Sequence, residues 1–129
     1  MPHLTIHFSS ALANATDIDA LCARLRGVIA GLGAYPVGGI RVRAIPVVHQ
    51  SVGDGDARNG FFDMVFRIAP GRSDAVKQET GVALMAAVEN ALASQLAEPH
   101  LAISLEIVEI DSRFSWKTNS MHARLEAAR

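Results

Sequence analysis

The second residue of this chain is a proline, and a proline at a free amino terminus is a base. Removal of an initiator methionine is favoured when the next residue is small, so Met1-Pro2 is expected to mature into a chain that begins with a prolyl secondary amine. No amide carbonyl delocalises that lone pair. An α-amino group titrates near 8, and an apolar surround with nearby guanidinium groups lowers that value toward neutrality, where a general base is best matched to its task. Arg41, Arg43 and Arg72 are the guanidinium groups that draw notice, for a reason given by the repeat described below. Taken singly, Pro2 is also simply the first residue of a strand, and each arginine also an ordinary surface cation.

The other chemistry-bearing side chains are less organised. His3 and His7 share one side of an extended segment but lie roughly 13 Å apart along it, too far for one metal ion, and His49, His100 and His122 are scattered. All five read as surface or interface residues. Cys22 sits among apolar positions at helical spacing and has no local activating pattern, which makes it core-facing and not a nucleophile. Phe114 and Trp116 either wall an apolar ligand or seal a contact between subunits. The glycines between Gly53 and Gly60 lack the lysine of a phosphate loop. No metal and no organic cofactor is expected.

These residues need a scaffold, and composition limits it. The chain has 129 residues, enough for one compact domain and too few for two separate cores. With 12 basic against 13 acidic side chains there is no charge excess for a nucleic-acid backbone. One cysteine cannot form an internal disulfide. No apolar run approaches the roughly 18 residues of a membrane helix, and no signal peptide opens the chain, so a soluble cytoplasmic protein is expected. Half of the residues are apolar but only 5% are aromatic. Alanine supplies much of that half, and an apolar fraction this high in a short chain points to surface covered by other subunits.

Periodicity places the elements. Leu4, Ile6 and Phe8 alternate with polar neighbours as in a half-buried strand, and Ile18, Leu21, Cys22, Leu25, Val28, Ile29 and Leu32 fall at helical spacing, with Asn14 or Thr16 available as cap. Residues 40–48 alternate again, with Pro46 marking an edge or an end. Residues 50–60 read as a linker rich in turn formers. The pattern then restarts: a strand over 61–69, a helix capped by Ser73 and running to Leu96, and a strand over 101–110. The expected fold is therefore α+β, α/β-like in its connections: two tandem βαβ units (1–49 and 61–111, with a tail over 112–129) in one domain. They share one four-stranded mixed sheet with both helices on one face. Laid over one another, the copies differ in their arginines: Arg72 opens the second helix and Arg41 the second strand, each without a counterpart in the other copy. One composite site assembled from both copies would leave that trace.

Met1-Pro2 leading into a strand and Gly71-Arg72-Ser73-Asp74 opening a helix resemble the tautomerase superfamily, whose small members are single βαβ units with an amino-terminal proline. Gly39-Ile40-Arg41-Val42-Arg43, Ser104-Leu105-Glu106-Ile107 and Lys117-Thr118-Asn119-Ser120-Met121-His122, over nearly the whole chain, are similar to 5-carboxymethyl-2-hydroxymuconate isomerases in particular. The resemblance implies a tautomerase-like homotrimer that acts on a small anionic dienoate from aromatic-ring cleavage. It implies Pro2 as the base that moves the proton, with Arg41 and Arg72 holding carboxylates and the developing 2-oxo group. Arg43 and Trp116 follow as further substrate contacts, while Lys117, Asn119 and His122 have no assigned role. Other members' reactions, as hydratase, dehalogenase or decarboxylase, would need a carboxylate such as Glu106 or Asp63 near Pro2. A non-catalytic trimeric binding protein is the remaining alternative.

Overall fold

The computed structural model describes residues 1–128. Four strands form one sheet: β1 (His3–Ser9), β2 (Arg41–Val47), β3 (Gly60–Ile68) and β4 (Leu101–Glu109), in the order β2-β1-β3-β4. β1 and β2 are parallel, β3 and β4 are parallel, and the two units meet where β1 and β3 run antiparallel. Pro46 lies inside β2, which is tolerated because β2 is an edge strand.

The crossover helices are α1 (Ile18–Gly31) and α2 (Asp74–Ala91). Each starts where an oxygen can accept an otherwise unmet backbone N–H: Ser73 Oγ accepts from Val76, and Asp17 accepts from Ala20. The first cap therefore falls later than Asn14 or Thr16, because residues 10–14 form a 3₁₀ turn of their own. α2 also ends earlier than its apolar spacing suggests. Leu92, at φ −106 and ψ 21, breaks the helix, and the remainder is a separate turn, α3 (Ala93–Leu96). The tail holds α4 (Met121–Ala127), whose residues carried no strong periodic signal.

Leu4, Ile6 and Phe8 of β1 and Phe62, Met64, Phe66 and Ile68 of β3 meet Leu21, Leu25 and Ile29 of α1 and Leu84 and Val88 of α2 in one buried cluster. The opposite sheet face carries His3, Thr5 and His7 beside Arg41, Arg43 and Ile45 on β2 and Arg67, Val65 and Asp63 on β3. None of these residues belongs to the core cluster. Ile6 pairs with Met64 near the centre of the junction.

One polar pair lies inside this core. The Tyr35 hydroxyl and Thr80 Oγ1 are 2.8 Å apart and both residues are buried. Thr80→Val keeps the volume and strands the Tyr35 hydroxyl. Its expected cost is about 1–3 kcal/mol in denaturant unfolding, and a change within error would mean that the hydroxyl finds another partner.

Candidate active site

The antiparallel junction decides what gathers at each end of the sheet. β1 and β2 start side by side, with His3 opposite Arg41, while β3 finishes there, with Arg67 opposite His3. Residues 69–72 therefore return to the same end as Pro2. β4 also finishes there and delivers the tail. Pro2, Arg41 and Arg72 are brought together, although 70 residues of chain separate the first from the last.

Backbone and steric contacts seat the proline. Pro2 is buried, and its carbonyl accepts from the Arg41 N–H at 3.0 Å. Gly39 lies so close that a Cβ there would stand 3.1 Å from Pro2 Cδ, which is why no larger residue precedes Ile40. Arg41 Nη1 donates to Gly39 O at 3.3 Å and approaches Met1 Sδ at 2.7 Å. Gly71, at φ +111, makes the turn that leads into Arg72. Arg72 is tethered: Nε and Nη2 donate to Ala34 O at 3.1 and 2.9 Å, and Nη1 donates to Ala69 O at 3.2 Å. Its guanidinium also lies 4.4 Å from the centroid of the Tyr35 ring. Three of five N–H groups are spent on carbonyls. The guanidinium is held fixed, with its charge directed at the terminal amine.

The site is electropositive and short of acids. Burial lowers the pKa of the chain's terminal amine from its usual 8.0, and Lys117, Arg72 and Arg41 lower it further. His3 is lowered to about 4, first by burial and then by Arg67, Arg41 and Arg43. Arg43, expected on the same side as Arg41, is there, with Nη1 3.4 Å from His3 Nδ1. The ion pairs found among the described residues involve Arg58, Lys77 and Arg113, none of them at this end's cluster of cations. Arg67, Tyr35, Lys117 and Asn119 complete the surroundings. Arg67 was legible from strand alternation once the register was known. Tyr35 was not, since it sits in an aperiodic stretch.

Other candidates fall elsewhere. Trp116 is 85% exposed and stands clear of the cluster in this chain. Asp63 accepts from Ser104 Oγ at 2.7 Å in the row of His7, four residues along β1 from His3, and Glu106 lies on the edge strand β4. Cys22 is half-buried, and burial pushes its thiol pKa up. Among the described residues no three His, Cys, Asp or Glu side chains converge as a metal ion would require. A cavity of about 710 Å³ lies at the opposite end of the sheet under the 48–59 loop. Its Ser9, Gln50, Asn59 and His100 are already bonded to one another or to the loop. No helix among the described residues is long and apolar enough to cross a membrane.

Two βαβ units joined antiparallel in one four-stranded sheet, with Pro2 buried beside Arg41, have the tautomerase fold. A family model described as 5-carboxymethyl-2-hydroxymuconate isomerase matches residues 2–125, and the chain belongs to that family of isomerases. It is 29% identical over 123 residues to 5-carboxymethyl-2-hydroxymuconate Delta-isomerase of Escherichia coli, covering 95% of this chain and 98% of that one. The crystal structure of a 5-carboxymethyl-2-hydroxymuconate isomerase from Deinococcus radiodurans R1 is 36% identical, with a TM-score of 0.90 over 96% of this chain and 93% of that one. A fused 4-OT symmetric trimer shares the fold at 17% identity, with a TM-score of 0.70 over 90% of this chain and 93% of that one.

His3 gives this site a signature in stability. Its folded-state pKa of about 4 lies below the ordinary 6.5, so between those values the unfolded chain binds the proton more readily. Stability is then complete above pH 6.5 and falls as pH drops toward about 4. His3→Gln is expected to flatten that part of a melting-temperature profile, and parallel profiles would remove His3 as the cause.

Proposed function

We propose that this chain isomerises 5-carboxymethyl-2-hydroxymuconate to its 2-oxo isomer, with Pro2 as the general base. The observation that carries the reading is a buried amino-terminal segment whose amine faces Arg41, Arg72 and Lys117. Removal of Met1 converts the Pro2 nitrogen into a secondary amine in this surround. The burial and the three cations that lower the pKa of the Met1 amine would act on the Pro2 amine in the same direction and favour its neutral, basic form. The amine takes the proton of the substrate's 2-hydroxyl, the electrons shift along the diene, and the resulting ammonium returns the proton to carbon. Atoms balance within the substrate, so the transfer calls for neither a redox cofactor nor a metal.

Arg41 and Arg72 have complementary roles. Arg72, fixed by two carbonyls and a ring, offers a rigid cation for the oxygen on which enolate charge develops, a preorganisation that favours the transition state. Arg41, bonded to one protein carbonyl, keeps donors free for a carboxylate. Arg43 extends the positive field along β2. A homotrimer in the cytoplasm is part of the same reading: the polar sheet face lacks cover, and Val82, Phe114 and Trp116 are 69%, 68% and 85% exposed. Partner subunits would cover these surfaces, and Trp116 would meet substrate across such a contact. Hydration or dehalogenation would need a water-activating carboxylate at the proline, and Glu106 and Asp63 are seated away from it.

Intact-mass measurement is expected to show loss of Met1, and retention would leave only a binding role. Pro2→Ala is expected to lower kcat by about 10²–10⁴-fold in a folded protein; wild-type turnover would overturn the base assignment. Arg41→Ala is expected chiefly to raise KM, and Arg72→Ala to lower kcat. Unchanged constants in both would exclude the arginines from the site.

A further inference from the structure

The tail after β4 was the one stretch of the sequence left without a chemical role, and it crosses the amino terminus. Asn119 Nδ2 donates to Gly38 O at 2.8 Å and points at Met1 Sδ from 3.9 Å. Asn119 Oδ1 accepts from the Met121 N–H at 2.8 Å, which ties the residue to the first turn of α4. α4 is seated in turn against the Val37–Gly39 turn: a Cβ on Gly38 would lie 2.8 Å from His122 Nδ1 and 3.2 Å from the His122 backbone. The tail is thus positioned by the same short turn that seats Pro2. Lys117, two residues before Asn119, is among the cations that lower the pKa of the Met1 amine.

Met1 shows what this arrangement holds. Its thioether sulfur, a weak acceptor, lies between Arg41 Nη1 at 2.7 Å and Asn119 Nδ2 at 3.9 Å. Donors from two separate elements, β2 and the tail, converge on one acceptor position directly beside Pro2. A sulfur meets such donors poorly, whereas an anionic oxygen meets a guanidinium and an amide N–H well. Loss of Met1 vacates the position and leaves both donors aimed at it.

We propose that Asn119 and Lys117 are further substrate-contacting residues of this site, forming with Arg41 a socket for an anionic oxygen of the substrate. The inference rests on the reading of Pro2 as base. Asn119 supplies a neutral, oriented N–H, and Lys117 supplies charge to the oxygen and to the amine together. The cations facing that amine are Lys117, Arg72 and Arg41, with His3 next to it on β1 and held neutral near pH 7 by Arg67, Arg41 and Arg43. Of the three, Lys117 stands on neither repeat unit, so its removal leaves the β1–β2 pairing and the Arg72 tether in place. The initiator methionine, while retained, occupies the socket as a plug.

The test uses the Met1-free full chain and 5-carboxymethyl-2-hydroxymuconate over a range of pH. Lys117→Met is expected to lower kcat/KM by about tenfold and to move the acid limb of its pH profile up by about 0.5–1 unit, since one cation fewer faces the amine. Lys117→Arg is expected to restore the limb. Asn119→Ala is expected to raise KM about tenfold. Because Asn119 also fastens α4, Asn119→Asp serves as the control: it keeps the acceptor for the Met121 N–H, removes the donor and repels an anion, so its KM should rise at least as far in a protein that circular dichroism shows to be folded. A Lys117→Met profile and an Asn119→Asp KM both equal to wild type, with Pro2→Ala inactive, overturn this inference and leave the base reading standing. An active Pro2→Ala overturns both.

Discussion

The pairing of β1 with β3 is the constraint on which the site depends. Had the two βαβ units met in parallel, β1 would begin where β3 begins, and Arg72 would follow β3 at the far end of the sheet. Because they meet antiparallel about Ile6 and Met64, the start of one unit lies beside the finish of the other. A single residue of slip would carry Leu4, Ile6 and Phe8 to the wrong face, so the buried rows of both strands hold the register. Hydrophobic burial in the middle of the sheet thereby fixes the relative placement of an amine and two guanidinium groups at its rim.

That rim carries an electrostatic cost. Arg41, Arg43, Arg67, Arg72, Lys117 and the amine cluster around a partly desolvated corner while the chain as a whole has a net charge of −1. His3 stays neutral there, which limits the repulsion. Among the described residues the acidic side chains in ion pairs are Asp56, Asp74, Glu109 and Asp111, and their partners are Arg58, Lys77 and Arg113, outside this cluster. Self-repulsion of this kind would be relieved by an anionic ligand, with no need of a field from the rest of the molecule.

Most of this was legible in the sequence where a single period governs a segment. The alternation in β1 and β3, the Ser73 cap and the helical spacing of Leu21, Leu25 and Ile29 reflect burial on one face, a local property. What was not legible depends on groups distant in sequence. The 3₁₀ turn after Ser9 moved the first cap to Asp17, and Leu92 broke the second helix at a point its apolar spacing did not mark. Thr80 in an otherwise apolar row was the one hint of Tyr35, the chain's single tyrosine, since a buried hydroxyl needs a partner. Lys117 and Asn119 carried no periodic signal, and only the path of the tail over Pro2 gives them a place.

The second unit begins inside the chain, so the nitrogen of Gly60 at the head of β3 is an amide, and it donates to His100 O at 2.8 Å. Joining two units end to end turns one of two amino termini into an ordinary peptide link. The fused chain can never carry two such bases, however closely its halves agree. Only the half that keeps the chain's end presents an amine, and the halves differ correspondingly in the charges they carry, Arg41 in one and Arg72 in the other.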